Sequence, residues 1–141
     1  MTHKKQMFNL LGDICNINQK QWNNPRGQFD GNKGAALLIE EALELIGGTD
    51  PRSTAREIVA QTATEPVSQV DEFDALLDII YIAIGELHKF GATPEAIVDG
   101  LQVVHNKNLE KSGAKDSEGK VTKPANFVGP EAELELIINK F

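Results

Sequence analysis

At 141 residues the chain is long enough for one domain with its own core, and a single domain over 1–141 is expected. Its 14 Lys and Arg against 21 Asp and Glu leave a net charge of -7, which opposes binding to the polyanionic backbones of DNA and RNA. The single cysteine, Cys15, can form no internal disulfide and lacks zinc-site spacing, and no apolar run approaches the roughly 18 residues of a membrane span, so the expectation is a soluble, cytoplasmic protein with no nucleic-acid or membrane partner.

Met7, Leu10, Leu11, Ile14 and Ile17 recur at helical spacing and predict an amphipathic helix that ends near Asn18. The turn-forming stretch 23–31 breaks it. A second helix is expected over 33–46, with Gly47-Gly48 as its stop, and 53–62 reads as a shorter helix after Asp50-Pro51. Pro66 suits the first turn of a third helix, which Gly91 closes after Phe90. Thr93-Pro94 starts a fourth, running through Ile97, Leu101, Val104 and Leu109 to Lys111. The polar stretch 112–129 is too long for a simple connection, and a last amphipathic segment, 130–141, carries Leu134, Ile137 and Ile138. No strand alternation or repeat occurs, so the fold expected is all-α, a bundle of four to five helices.

Chemistry concentrates in the acids. On the second predicted helix Glu40, Glu41 and Glu44 fall within one arc of about 100°. Ile39, Ala42, Leu43 and Ile46 occupy the other side, so a solvated face is the alternative to a metal site. The third predicted helix carries Leu76, Leu77, Ile79, Ile80, Ile82, Ala83, Ile84 and Leu87 around its axis, which predicts burial on nearly every side. Asp78 sits in its middle, and Asp71, Asp74 and Asp78 line up within an arc of about 60°. A buried carboxylate needs a cation, donors or a metal, and a structural salt bridge is the alternative for Asp78. Opposed, the two acidic faces would offer the hard oxygen ligands that Mg²⁺ prefers, and a divalent cation would let an acidic protein hold an anionic triphosphate.

With Glu40-Glu41-Ala42-Leu43-Glu44 on one helix and an Asp-bearing apolar helix downstream, the sequence resembles the all-α nucleoside triphosphate pyrophosphohydrolases, the superfamily of MazG and phosphoribosyl-ATP pyrophosphohydrolase. Their signature pairs ExxE with a later ExxD. The first half matches fully; in the second, aligning Asp78 with the aspartate puts Ala75 where the glutamate usually stands. Asp74 is one residue from that place, and Asp71-Glu72-Phe73-Asp74 offers a second registration. The run His105-Asn106-Lys107-Asn108-Leu109-Glu110-Lys111, then Gly119-Lys120-Val121, Lys123-Pro124 and Phe127-Val128-Gly129-Pro130, is similar to the tail of the phosphoribosyl-ATP-pyrophosphohydrolase-like branch of phages and bacteria.

This resemblance implies cleavage between the α- and β-phosphates of a nucleotide, giving a monophosphate and pyrophosphate. It implies Mg²⁺, with Mn²⁺ also accepted, held by Glu41, Glu44 and Asp78 with Asp74 as a supplementary ligand; Glu40 is a ligand or the general base. Asn108 and Lys111 would contact phosphate, with Lys120 and Lys123 closing over it; ordinary loop solubility is the alternative for those two lysines. His105 reads as a packing residue, while Trp22 and Phe29 either stack on a base or fill a core or dimer interface. The substrates implied are deoxynucleoside triphosphates, including a purine such as dGTP. Phosphoribosyl-ATP and a catalytically inactive helical interaction module are the alternatives. Assembly as a homodimer or homotetramer is also implied.

Overall fold

A computed structural model of the chain describes residues 2–63, 65–111, 114–117 and 120–141; Gly119 of the tail motif lies outside the described residues. Six α-helices and one π-helical turn account for the regular structure described, one α-helix more than the upper end of the sequence expectation. An isolated antiparallel bridge between Lys115 and Val121 is the only extended pairing among the described residues. Two compact units divide the chain, Gly27–Asp78 in one and Met1–Arg26 with Ile79–Phe141 in the other.

In the second of these, α1 (His3–Asn16) starts where the Thr2 hydroxyl accepts the Lys5 amide at 3.3 Å, satisfying a donor that a helix start leaves open. The α-helix ends close to the predicted Asn18, but the helical run does not. It continues as a π-helical turn, Ile17–Gln21, where the Trp22 amide donates to the Ile17 carbonyl and the Asn18 side chain donates back to the Ile14 carbonyl, each at 2.9 Å. Cys15 is exposed on α1.

In the Gly27–Asp78 unit, α2 (Gly31–Leu45) begins two residues earlier than the apolar pattern predicts. The Asp30 carboxylate accepts the amides of Asn32 and Lys33 at 3.1 and 3.2 Å. It ends at the predicted glycines: Gly47 takes φ 68, and the Gly48 amide donates to the Leu43 carbonyl at 2.8 Å. With Pro51 in its first turn, α3 (Pro51–Thr62) packs along α2, and Ala55 is fully buried.

Pro66, expected in the first turn, lies before α4 (Gln69–Phe90), which starts after Ser68, whose hydroxyl accepts the Asp71 amide at 3.2 Å. The helix closes at Gly91, φ 116, where the Ala92 amide donates to the Leu87 carbonyl at 3.0 Å. Burial is where expectation and structure part. No residue of α4 is buried: Ile80, Tyr81 and Ile82 are 56%, 82% and 62% exposed, and Asp78 is exposed with them. Apolar side chains around the axis show that the helix avoids water, but the pattern does not say which chain supplies the cover.

Thr93 caps α5 (Pro94–Leu109) through the Ala96 amide at 3.2 Å, as the Thr-Pro pair predicts. This helix packs against both α1 and α6 (Glu131–Ile138), around buried Leu10, Ile17 and Val98. The Lys107 ammonium joins α5 to α6, 3.3 Å from Glu110 and 3.5 Å from Glu133. Burial lowers its pKa, but hydrogen bonds and charges from Glu110 and Glu133 outweigh this and hold it above the ordinary 10.5. Because the folded value is raised, the bridge's contribution to stability is complete below pH 10.5 and is lost as pH rises through the folded value. The melting-temperature gap between wild type and Lys107→Met should therefore be constant below pH 10.5 and close above it. A gap that persists unchanged in stronger base would show that packing, not charge, holds α6.

Candidate functional site

The acidic residues share one compact unit. Glu40, Glu41 and Glu44 stand on α2, and Asp71, Asp74 and Asp78 on the first half of α4, all within Gly27–Asp78. Their environments differ. Glu40 is buried, 6% exposed, while Glu41, Glu44, Asp74 and Asp78 are open to solvent. Neither Glu40 nor Glu41 lacks a polar or electrostatic partner. The close gathering expected of opposed acidic faces does not occur within one chain: among the described residues no three Asp, Glu, His or Cys side chains form a group able to hold a metal ion. What the backbone does provide is pairs one helical turn apart, Glu41 with Glu44 and Asp74 with Asp78.

Glu72 has a place that sequence reasoning gave it only as part of an alternative registration. A Cβ on Gly31, the first residue of α2, would lie 3.1 Å from Glu72 Oε2. The carboxylate therefore sits against the positive end of α2, beside the Asp30 cap, and helps set α4 against that helix. Phe29 also lies against α2, with a ring carbon 3.0 Å from where a Cβ on Gly34 would stand. The missing side chain leaves room for the ring, which remains 52% exposed. Phe29 thus packs locally, and its exposed part keeps the stacking role open.

The proposed phosphate donors belong to the other unit. Asn108 and Lys111 lie at the end of α5, both half-buried. Gln21, from the π-helical turn, holds this end: its Nε2 donates to the Leu109 carbonyl at 3.1 Å and to the Lys111 carbonyl at 3.0 Å. Beyond it the chain is tied down too. Lys115 donates to the Asn23 carbonyl and the Asn24 side chain, and the Asp116 carboxylate accepts the Lys120 amide at 3.1 Å. The Lys111 and Lys123 ammonium groups lie 5.9 and 5.4 Å from the centre of one ring, that of Phe127. Each such contact contributes about 0.5–1 kcal/mol at an exposed site.

His105 is buried on α5, as a packing residue should be. It also lines a cleft of about 310 Å³ with Asp13, Lys20, Gln102 and Asn106. Trp22 is half-buried, and its Nε1 is a buried donor with no partner among the described residues. The contacts of Gln21 and Phe127 were not legible: a glutamine in a polar run has no periodicity that marks it, and Phe127 stood out only as part of the tail motif. Gln21→Ala removes two hydrogen bonds to carbonyls and should destabilise the fold by about 1–3 kcal/mol in urea unfolding. An unchanged midpoint would mean that the end of α5 is held by other contacts.

The family model for phosphoribosyl-ATP pyrophosphohydrolase matches residues 8–108. The match takes in Glu40, Glu41, Glu44, Asp71, Asp74 and Asp78 and ends at Asn108, so Lys111, Lys120, Lys123 and Phe127 lie beyond it. No curated protein and no solved structure matches the chain. Among the described residues no helix is long and apolar enough to cross a membrane. A match over more than half the chain, on an all-α fold, identifies the protein as a member of the phosphoribosyl-ATP pyrophosphohydrolase family, within the all-α NTP pyrophosphohydrolase superfamily, and as a hydrolase of phosphoric anhydrides in nucleotides.

Proposed function

We propose that the protein converts a nucleoside or deoxynucleoside triphosphate to its monophosphate and pyrophosphate with a divalent cation, Mg²⁺ first and Mn²⁺ as a substitute. Deoxynucleoside triphosphates are the leading substrates, with selectivity for a purine such as dGTP as the narrower form of this reading. The supporting observation is that α2 and α4 offer exposed carboxylate pairs, Glu41 with Glu44 and Asp74 with Asp78, in the same compact unit. Mg²⁺ is usually held by one or two carboxylates together with waters and substrate phosphates, so an all-oxygen pair on either helix suits it without a three-carboxylate cage.

In this reading Glu41, Glu44 and Asp78 are the main ligands, Asp74 is supplementary, and Glu40 is a ligand or takes the proton from water. When bound, the cation supplies Lewis acidity and neutralises phosphate charge. Water attacks the α-phosphorus in line, the bond to the bridging oxygen breaks, and pyrophosphate leaves. Asn108, Lys111, Lys120 and Lys123 donate to phosphate oxygens, hydrogen bonds strengthened by the charge of the acceptor.

Hydrolysis should stop in excess EDTA, return with Mg²⁺ or Mn²⁺, and yield a monophosphate and pyrophosphate. Robust turnover in EDTA, or release of orthophosphate, would sink the reading. Asp78→Ala should lower kcat by about 100-fold or more while leaving the helical circular dichroism intact, the scale expected when transition-state charge stabilisation is lost. Near-normal turnover would instead shift the aspartate's role to Asp71 or Asp74. Phosphoribosyl-ATP is the second reading, favoured by the description of the matching family. The altered ExxD at Ala75 and the lysine-bearing loop weigh against it. Parallel assays on dNTPs, NTPs and phosphoribosyl-ATP separate the two.

The exposed apolar residues of α4, with Leu37 and Leu45 of α2 and Ile46 just after it, support a homodimer or homotetramer in which a second copy covers them. Ile80→Asp should break that assembly and lower stability, read by light scattering and thermal unfolding. A wild-type protein that is monomeric and stable at micromolar concentration would refute it.

A further inference from the structure

We propose that the cleft between α1 and α5 around His105 binds a guanine base. The inference deepens the purine form of the proposed function and rests on it for the expectation that the chain meets nucleotides. All the lining residues belong to one compact unit. Asp13, Ile17 and Lys20 stand at i, i+4 and i+7 on α1 and its π-helical continuation, and His105, Asn106 and Leu109 line the cleft from α5. Neither Asn108 nor Lys111 lines this space, so it is separate from the proposed phosphate donors.

His105 is the observation that asks for a ligand. It is 5% exposed and faces the cleft, yet its imidazole has no hydrogen-bond or ion-pair partner among the described residues. Native structures pair nearly all buried polar groups, so an orphan turned to an open space points to a partner from outside the chain. The Asp13 carboxylate and the Lys20 ammonium also lack side-chain partners among the described residues. They are separated by two helical turns, roughly 10 Å of rise. Their opposite charges favour neither a bare anion nor a bare cation, but a neutral ligand with donors at one end and acceptors at the other. An α-amino acid carries both its charges around one carbon and is too short to bridge them. Guanine has the required pattern: N1–H and the 2-amino group are adjacent donors that one carboxylate accepts together, and O6 and N7 accept from an ammonium group and an imidazole N–H. Gln102 Nε2 donates to Asn106 Oδ1 at 3.0 Å, which leaves the Asn106 amide nitrogen as a further donor. Ile17 and Leu109 supply apolar contact for the ring, and a cleft of about 310 Å³ lies at the small end of ligand sites, where a nucleoside belongs.

The test adds guanosine, without phosphate or metal, to the full chain in EDTA and follows binding by calorimetry. Guanosine should bind saturably and about tenfold more tightly than inosine, which lacks only the 2-amino group, the scale of one hydrogen bond to a charged partner. Asp13→Ala, at an exposed position, should weaken guanosine binding about tenfold and abolish its advantage over inosine, because both changes remove one contact. Lys20→Met should weaken both nucleosides alike. His105→Leu should do the same while its melting temperature stays at or above that of wild type, since it removes a buried polar group with no partner. A purely packing role for His105 would leave nucleoside binding unmoved. Inosine or adenosine bound as tightly as guanosine, or guanosine binding unchanged by Asp13→Ala and Lys20→Met, would overturn the site whether or not His105→Leu folds. A protein that hydrolyses dNTPs but binds no guanosine keeps the proposed reaction and loses this inference. One that binds guanosine through Asp13 but hydrolyses no nucleotide keeps the cleft and loses the reaction.

Discussion

The structure depends on how α4 is covered. It is a 22-residue helix with apolar side chains around most of its axis and a stripe of aspartates in its first half, and none of its residues is buried. Burying a Leu, Ile or Phe side chain contributes roughly 1.5–3 kcal/mol. A handful of such residues equals the whole margin of about 5–15 kcal/mol by which a domain is stable. A second copy covering α4, as proposed, would therefore add to stability, and it would bear on the proposed chemistry too, since Asp71, Asp74 and Asp78 form a stripe on the same helix. A cover that closed over all of its circumference would have to desolvate those carboxylates, at a cost of several kcal/mol for each unpaired charge. A viable cover leaves the stripe to water or to a cation.

Local signals were the most legible part of the fold because their causes lie within a few residues. Gly47-Gly48, Thr93-Pro94 and Gly91 end or begin helices where the sequence says they should, each through hydrogen bonds among near neighbours. The misses are instructive for the same reason. Hydrophobic spacing starts α2 at its first periodic residues, whereas Asp30 nucleates it earlier with a side-chain cap. Pro66 is a plausible first-turn residue, yet Ser68 offers a hydroxyl that the Asp71 amide needs, and the cap wins. The π-helical turn after α1 depends on Asn18 bonding back to Ile14 and on the Trp22 amide reaching Ile17, a choice that apolar periodicity cannot report.

The candidate site divides along the same line. Glu40, Glu41 and Glu44 could be grouped from sequence because helical spacing alone puts them on one face, and the same holds for Asp71, Asp74 and Asp78. Their exposure could not. Glu40 is the buried member although Glu41 and Glu44 on the same face are exposed, a difference that helical spacing alone does not report. The convergence of Lys111 and Lys123 on Phe127 was invisible, since it needs a hydrogen bond from Gln21, far away in the chain.

An acidic protein that handles a nucleotide needs a cation between its own carboxylates and the phosphates. The acids of the proposed site belong to the unit Gly27–Asp78, and the lysines around Phe127 belong to the unit formed by residues before and after it. Magnesium is usually held by one or two carboxylates while waters and phosphates supply the rest, so in the proposed reading the departure at Ala75 removes one carboxylate and leaves the pairs Glu41 with Glu44 and Asp74 with Asp78.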